Sequence, residues 1–244
     1  MAVPRWAADG RLVSRPSAQP AGVPLPAGVH ELSLGPQAAA LLAVPPGEAL
    51  ARPLLVFLHG AGGAAEQSLA AVGGIAAERG VLVLAPTSVA ATWDLIAGGL
   101  GRDVAVLDAA LADVSERAAV SRVAVGGFSD GASYALSLGV ANGDLFDAVL
   151  AFSPGFVAPP GLEGHPRIWI SHGTHDRVLP VERCGRRVSA DLAAAGYDVA
   201  YDEFDGGHVV TPDLVTAALD WWLNEDPAAP HRSPARGGPL QRGR

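Results

Sequence analysis

Short apolar runs alternate along this chain with segments in which apolar residues have helical spacing. The runs typical of buried strands are residues 54–57, 81–84, 123–126, 167–171 and 199–204. Between them, spacings of three and four residues predict helices, as at Leu69, Val72 and Ala76. Because strands and helices alternate throughout, the pattern predicts an α/β fold with a mostly parallel central sheet flanked by helices.

The two ends of the chain differ from this pattern. Residues 1–27 are rich in Pro and Ala, and we expect an N-terminal arm that is poorly structured or forms a loose strand. Residues 29–34 and 40–44 predict a hairpin at an antiparallel edge of the sheet. Residues 225–244 are rich in Pro, Gly and Arg and have too few apolar residues to fold, so we expect a disordered tail. These boundaries leave residues 28–224 as one domain.

A nucleophile motif lies between a predicted strand and a predicted helix. The sequence Gly127-Phe128-Ser129-Asp130-Gly131 follows the strand at 123–126 and precedes helix-like residues 132–138. Strand, Gly-x-Ser-x-Gly and helix together are the pattern of a nucleophile elbow, in which the serine occupies a strained turn with its hydroxyl above the sheet edge. Ser129 is therefore the candidate nucleophile.

An acid and a base follow the serine in the order that this kind of site requires. Asp176 lies just after the strand at 167–171, and His208 lies on the last loop before the C-terminal helix. A serine hydroxyl needs an imidazole to take its proton, and the imidazole needs a carboxylate to fix its tautomer. Asp205 competes for the acid role, but it is only three residues from His208, and we favour Asp176.

Gly-rich backbone after the strand at 54–57 is the expected source of a second oxyanion donor. The segment His59-Gly60-Ala61-Gly62-Gly63 lets main-chain amides come close to a substrate carbonyl. We predict that the amides of Ala61 and Asp130 form the oxyanion hole, with Gly62 as the competitor for the first position and a substrate contact. Trp93 follows a strand on the same edge, and either it walls the substrate pocket or it packs in the core.

Taken in order, four motifs resemble the α/β-hydrolase superfamily. They are His-Gly-Ala-Gly-Gly at 59–63, Gly-Gly-Phe-Ser-Asp-Gly-Ala at 126–132, Ser-His-Gly-Thr-His-Asp-Arg-Val-Leu-Pro at 171–180 and Gly-Gly-His at 206–208. The closest match is the phospholipase/carboxylesterase group, which includes acyl-protein thioesterases and small esterases.

That resemblance covers residues 28–223 and implies a serine hydrolase for carboxylic esters or thioesters with Ser129, Asp176 and His208 as its triad. The chain departs from the group at Asp130, where many members carry Gln. A carboxylate aimed at a developing oxyanion would oppose catalysis, so we expect the Asp130 side chain to point away from the site.

Composition narrows the chemistry further. The 244 residues carry a formal charge of −8 and include no lysine, which excludes Schiff-base chemistry, a P-loop lysine and a Ser-Lys dyad. An acidic chain without a long apolar run argues against nucleic acid or membrane partners, and we expect a cytoplasmic monomer or homodimer that acts on a small-molecule ester or thioester. The single cysteine, Cys184, cannot form an intrachain disulfide.

Several alternatives stay open at this point. His172 and His175 near Asp176 could suggest a metal site, but the spacing lacks a clear third ligand, and we expect neither metal nor cofactor. Within the enzyme class, the competitors are a depolymerase-type or feruloyl-type esterase and a peptidase on the same triad. A ligand-binding protein on a hydrolase scaffold is the non-enzyme alternative. Residues 153–166, with four prolines, are too short and broken to form a cap domain.

Overall fold

The core of the fold is one eight-stranded sheet. The computed structural model describes residues 3–19, 22–35, 38–48 and 51–224, so the predicted tail lies outside the described residues. The strands are β1 (Gly28–Ser33), β2 (Ala39–Val44), β3 (Arg52–Leu58), β4 (Leu82–Pro86), β5 (Val120–Phe128), β6 (Ala148–Phe152), β7 (Arg167–Gly173) and β8 (Val199–Phe204).

Strand order places the predicted nucleophile strand near the middle of the sheet. The order is β1-β2-β4-β3-β5-β6-β7-β8. β1 pairs antiparallel with β2, and β2 pairs antiparallel with β4. The remaining neighbours in the sheet, β4-β3-β5-β6-β7-β8, pair parallel. The predicted α/β fold with its antiparallel edge hairpin is therefore confirmed. Loops at the carboxyl ends of β3 to β8 share one edge, which is where open α/β sheets bind ligands.

Helices cover both faces of this sheet. The helices are α1 (Arg5–Ala8), α2 (Ala65–Glu78), α3 (Asp94–Ala97), α4 (Arg102–Arg117), α5 (Asp130–Ala141), α6 (Gly185–Ala194) and α7 (Pro212–Leu223). Apolar side chains of α2 and α7 bury against one face, and those of α4, α5 and α6 bury against the other. The Thr211 hydroxyl caps α7 by accepting a hydrogen bond from the Leu214 amide. None of the helices in the described part of the chain is long and apolar enough to cross a membrane.

The N-terminal segment packs more closely on the body than its composition suggests. Leu12 is 1% exposed, and its amide donates a 2.8 Å hydrogen bond to the Asn142 side chain. Asp108 accepts hydrogen bonds from the amides of Val13 and Ser14 at 2.6 and 2.8 Å. We expected a poorly structured arm or a loose strand; instead, polar side chains of α4 and the end of α5 satisfy backbone groups that have no sheet partner.

Residues 153–166 run along the outside of α5 and do not cover the catalytic edge. The amides of Gly155 and Ala158 donate hydrogen bonds to the hydroxyls of Ser133 and Ser137, at 2.9 and 3.0 Å. Further along, the Glu163 amide donates to the Val140 carbonyl at 2.9 Å. The segment is thereby held against α5 over most of its length and builds no cap, as its prolines predict.

Candidate active site

Ser129 occupies a strained turn between β5 and α5. Its φ of 58° and ψ of −117° lie in a region that residues with side chains rarely adopt, at a cost of about 1–3 kcal/mol. The turn needs glycine on both sides, because a Cβ at Gly127 would meet the backbone of Gly131, and a Cβ at Gly131 would meet the carbonyl of Leu58. The elbow predicted from Gly-x-Ser-x-Gly is therefore present in the backbone.

A continuous chain of hydrogen bonds joins the predicted serine, histidine and aspartate. The Ser129 hydroxyl lies 2.8 Å from His208 Nε2, and His208 Nδ1 lies 2.6 Å from Asp176 Oδ2. Ser129 and Asp176 are buried, at 9% and 6% exposure. With Nδ1 protonated and bonded to the carboxylate, Nε2 is free to accept the serine proton.

The loops that carry the acid and the base are bound to each other through their backbones. The amide of Thr174 donates to the carbonyl of Phe204, and the amide of His175 donates to the carbonyl of Gly206, both at 2.9 Å. Gly173 packs so closely on Gly206 that a side chain at Gly173 would collide with its carbonyl. These contacts fix the loop after β7 against the loop after β8, and with them the distance between Asp176 and His208.

Asp176 is held as a carboxylate by the loop that follows it. Its Oδ1 accepts hydrogen bonds from the amides of Val178 and Leu179 at 2.9 and 2.8 Å. Burial alone would raise the pKa of Asp176, but hydrogen bonds from Leu179, His208 and Val178 outweigh it, and the pKa lies below the ordinary value. Asp205, the competing acid, is 92% exposed and pairs with His175 at 3.0 Å.

His172 supports the same loop from inside the protein. Its side chain is fully buried, and Nε2 donates to the Leu179 carbonyl at 2.7 Å while lying 3.3 Å from Asp176 Oδ2. Nδ1 has no hydrogen-bond partner among the described residues. This geometry makes His172 a positioning residue for the acid loop. Across the described ranges, no group of three or more His, Cys, Asp or Glu side chains is arranged to hold a metal ion.

The geometry of the oxyanion loop favours the predicted pair of amides. Among the described residues, the amides of Ala61 and Asp130 donate to no protein acceptor, whereas the Gly62 amide donates to the Ala91 carbonyl at 2.7 Å. The Gly62 amide therefore ties its loop to the loop after β4, which leaves it poorly placed as an oxyanion donor. The Asp130 carboxylate accepts a 2.6 Å hydrogen bond from the Thr92 hydroxyl. That its side chain points away from the serine stays a prediction.

His59 fixes the start of the oxyanion loop. Its Nδ1 donates to the Gly60 carbonyl at 2.7 Å, and its Nε2 accepts from the Ser88 amide at 3.0 Å. Burial lowers the pKa of His59 from 6.5, and the hydrogen bond to Gly60 only partly opposes that shift. A neutral imidazole is required here, because a protonated Nε2 could not accept the Ser88 amide.

Trp93 packs in the core, so of its two predicted roles the pocket wall is wrong. It is 1% exposed, and its indole nitrogen donates to the His59 carbonyl at 2.9 Å. The ring stacks on Tyr134 at 5.1 Å and lies 4.7 Å from the His59 ring. The indole N–H finds its partner inside the protein, so the side chain stabilises the oxyanion loop from below.

The cleft at the catalytic edge is walled mostly by residues that were not predicted as site residues. A cavity of about 390 Å³ lies beside His208 and the oxyanion loop. Its lining residues are Phe57, His59, Gly60, Ala61, Gln67, Ser68, Ala71, Phe128, His208, Val209 and Val210. Of these, only Ala61 and His208 were predicted as site residues. Gln67 and Ser68 could have been found from their position in the first turn of the helix that follows the oxyanion loop.

The strand order and the elbow define the α/β-hydrolase fold, and the comparisons with known proteins agree. Residues 106–221 match the model of the phospholipase/carboxylesterase family. The matched stretch contains three of the four motifs, those that carry Ser129, Asp176 and His208, and it supports assignment of the protein as a hydrolase. A sequence comparison with curated proteins finds no significant match.

Solved structures of esterases and a thioesterase share this fold. Esterase PE8 is 24% identical, with 82% of this chain and 98% of that chain covered and a TM-score of 0.59. The Bacillus cereus carboxylesterase is 18% identical, with 78% and 95% covered and a TM-score of 0.59. The Zea mays acyl-protein thioesterase 2 is 18% identical, with 75% and 96% covered and a TM-score of 0.52. At these identities the likeness shows a shared fold and no more.

Proposed function

We propose that this protein is a serine hydrolase that cleaves carboxylic esters or thioesters with short to medium acyl groups through an acyl-enzyme on Ser129. The observation that carries the proposal is the hydrogen-bond chain from the Ser129 hydroxyl through His208 to Asp176. Ser129, Asp176 and His208 act as nucleophile, acid and base. All of them fall within residues 28–224, which we propose as the catalytic domain.

In the first half of the reaction, Ser129 Oγ attacks the substrate carbonyl carbon while His208 Nε2 takes the hydroxyl proton. Negative charge then develops on the carbonyl oxygen, and the free amides of Ala61 and Asp130 stabilise it. The imidazolium that forms is stabilised by Asp176, whose pKa is held low by its loop amides. Collapse of the tetrahedral intermediate breaks the bond to the leaving group, which receives the proton from His208.

The second half regenerates the serine. Water enters on the side that the leaving group has vacated, His208 takes its proton, and the hydroxide attacks the acyl carbonyl. Release of the carboxylic acid returns the proton to Ser129. Since the structural neighbours include one protein named as a carboxylesterase and one named as an acyl-protein thioesterase, both oxygen and sulfur leaving groups are included in the proposal.

The test combines covalent labelling with turnover. The purified full chain is incubated with a fluorophosphonate probe, and the labelled peptide is identified by mass spectrometry; a panel of p-nitrophenyl esters and acyl thioesters is assayed in parallel. We expect labelling at Ser129, and we expect Ser129→Ala to lose both labelling and at least about 10³-fold in turnover.

An exposed serine at the start of β5 supplies the matched control. Ser121→Ala should behave as the unaltered protein, because Ser121 is exposed and lies far along the strand from the elbow. Substantial hydrolysis by pure Ser129→Ala protein would refute the nucleophile assignment. Binding of esters without turnover or labelling in the unaltered protein would favour a ligand-binding scaffold.

A further inference from the structure

One polar group of the cleft beside His208 has no hydrogen-bond partner in the part of the chain that the structure describes. Ser68 is 2% exposed, lines the cleft, and has a hydroxyl with no hydrogen-bond partner among the described residues. A buried hydroxyl without a partner costs roughly 1–3 kcal/mol. A bound molecule with a donor or acceptor at this position would remove that cost, so the hydroxyl indicates a ligand contact.

A second polar group lies at the rim of the same cleft. Gln67 is exposed, and its Oε1 lies 2.5 Å from where a Cβ on Gly63 would be, so its carboxamide lies over the oxyanion loop. Gln67 and Ser68 are consecutive in the first turn of α2 and supply an amide and a hydroxyl to the lining of the cleft. Together they offer hydrogen-bond donors and acceptors at the rim of the cleft, from Gln67, and in its buried wall, from Ser68.

The remaining walls restrict the occupant to an uncharged, apolar body. Phe57, Ala71, Phe128 and Val210 supply aromatic and aliphatic surface, and the described lining residues include no Asp, Glu or Arg. A charged group here would lose its hydration without gaining a partner. The volume of about 390 Å³ lies near the lower end of the range of about 300–1,000 Å³ that is usual for small-molecule sites.

The position of the cleft relative to the imidazole identifies which half of the substrate it holds. His208 Nε2 must deliver its proton to the leaving-group atom, so the leaving group lies against the imidazole. The cleft is lined by His208 together with Val209 and Val210, whereas Ser129, which carries the acyl group, is not part of its lining.

We infer that this cleft is the leaving-group subsite and that it binds a neutral, ring-sized alcohol or thiol carrying one hydroxyl or carbonyl substituent, which Ser68 and Gln67 hydrogen-bond. This inference rests on the proposed function. When the substrate carbon–oxygen bond breaks, His208 protonates the departing oxygen, and the neutral alcohol leaves from the cleft. Ser68 and Gln67 therefore determine specificity for the group that leaves, and they do not act on the acyl group.

The test uses butyrate esters that share one acyl group and differ only in a substituted benzyl alcohol. The ring carries a 3-hydroxymethyl, a 3-ethyl or a 3-carboxylate group, so that size is kept while polarity or charge changes. Each hydrogen bond is worth about 0.5–1.5 kcal/mol, so we expect kcat/KM of the hydroxymethyl ester to exceed that of the ethyl ester about three- to tenfold. The carboxylate ester should be the poorest substrate.

Two variants and one control test whether Ser68 and Gln67 cause the preference for the hydroxymethyl ester. Ser68→Ala and Gln67→Ala should each lower kcat/KM of the hydroxymethyl ester about threefold or more and leave the ethyl ester within twofold. Glu66→Ala is the control, since Glu66 lies in the same helical turn, is exposed and does not line the cleft. Ser68→Ala should not lower the melting temperature, because the hydroxyl it removes has no partner to lose.

A second series separates this inference from its alternatives. With p-nitrophenyl esters of increasing acyl length, both variants should keep the acyl preference of the unaltered protein; a shifted acyl preference would assign the cleft to the acyl group and overturn the inference. Equal loss on the hydroxymethyl and ethyl esters would overturn it as well. Hydrolysis with labelling at Ser129 but no substituent effect refutes the inference alone, whereas no hydrolysis and no labelling refutes the proposed function.

Discussion

Asp130 and Thr92 are joined by a 2.6 Å hydrogen bond from the Thr92 hydroxyl to the Asp130 carboxylate. The Asp130 amide is a candidate oxyanion donor, so the carboxylate of the same residue lies within one side-chain rotation of the developing negative charge. A carboxylate there would raise the energy of the tetrahedral intermediate. Thr92 therefore lets the chain carry an acid at this position.

The first prediction is that Thr92→Val lowers kcat/KM for p-nitrophenyl butyrate about tenfold, which corresponds to about 1.4 kcal/mol of transition-state stabilisation. Valine keeps the shape of threonine and removes the hydroxyl that restrains Asp130. The double variant Thr92→Val with Asp130→Asn should recover most of the activity, because a neutral amide does not repel the oxyanion. Equal activities of the single and double variants would contradict this account.

The second prediction distinguishes the two acids near His208. Asp176→Asn should reduce turnover by about 10⁴-fold, since the amide no longer fixes the tautomer of the imidazole. Asp205→Asn should change turnover less than about threefold, because Asp205 is exposed and pairs with His175. Both changes are isosteric, and circular dichroism checks that each variant is folded. A larger loss from Asp205→Asn would show that the loop geometry in solution differs.

The order of chemical motifs could be predicted from sequence because each motif is local. Gly127 and Gly131 around Ser129, and the loop positions of Asp176 and His208, follow from short strand and turn patterns. The fold follows from the same alternation of strands and helices, and the comparisons bear it out.

Contacts between distant segments could not be predicted in the same way. Whether Trp93 faces the cleft or the core depends on the His59 carbonyl, 34 residues away, which accepts its indole N–H. The docking of residues 3–19 depends on Asp108 and Asn142, whose side chains accept its amides. The first turn of α2 could be expected near the oxyanion loop, but the cleft that Gln67 and Ser68 line also needs the loop that carries His208.

The third prediction concerns acid sensitivity. Burial keeps the pKa of His59 below 6.5 in the folded protein, so between that lowered value and 6.5 the unfolded chain binds a proton that the folded chain does not. The free energy of unfolding should therefore fall as the pH decreases below about 6.5. A single group can contribute a slope of up to about 1.4 kcal/mol per pH unit.

Urea unfolding between pH 5.0 and 7.5 measures this slope. His59→Gln should be less stable than the unaltered protein at pH 7.5 and should lose less stability on acidification, because the group that takes up the proton on unfolding is gone. His165→Gln is the control, since His165 is exposed. If His59→Gln and the unaltered protein showed parallel curves, the His59 imidazole would not be the acid-sensitive group.

The fourth prediction follows from the path of residues 153–166. Hydrogen bonds from Gly155 and Ala158 to serines of α5 hold this segment against the helix, and it forms no cap above Ser129. Among the described residues, this segment therefore adds no apolar cover that could enclose a long acyl chain or open at a lipid surface. We therefore expect hydrolysis rates of p-nitrophenyl esters to be highest for short acyl chains and to decline towards long ones, with no jump in rate when a substrate passes its solubility limit. The measurement is initial rate against acyl length and, for tributyrin, against concentration across that limit.

A double variant, Ser133→Ala with Ser137→Ala, serves as the control because it removes both hydrogen bonds that hold the segment against α5. We expect it to lower the melting temperature and to leave the dependence of rate on acyl length unchanged, because the segment does not contact the acyl group. Preference for long-chain triglycerides together with interfacial activation would show that some other part of the chain covers the site.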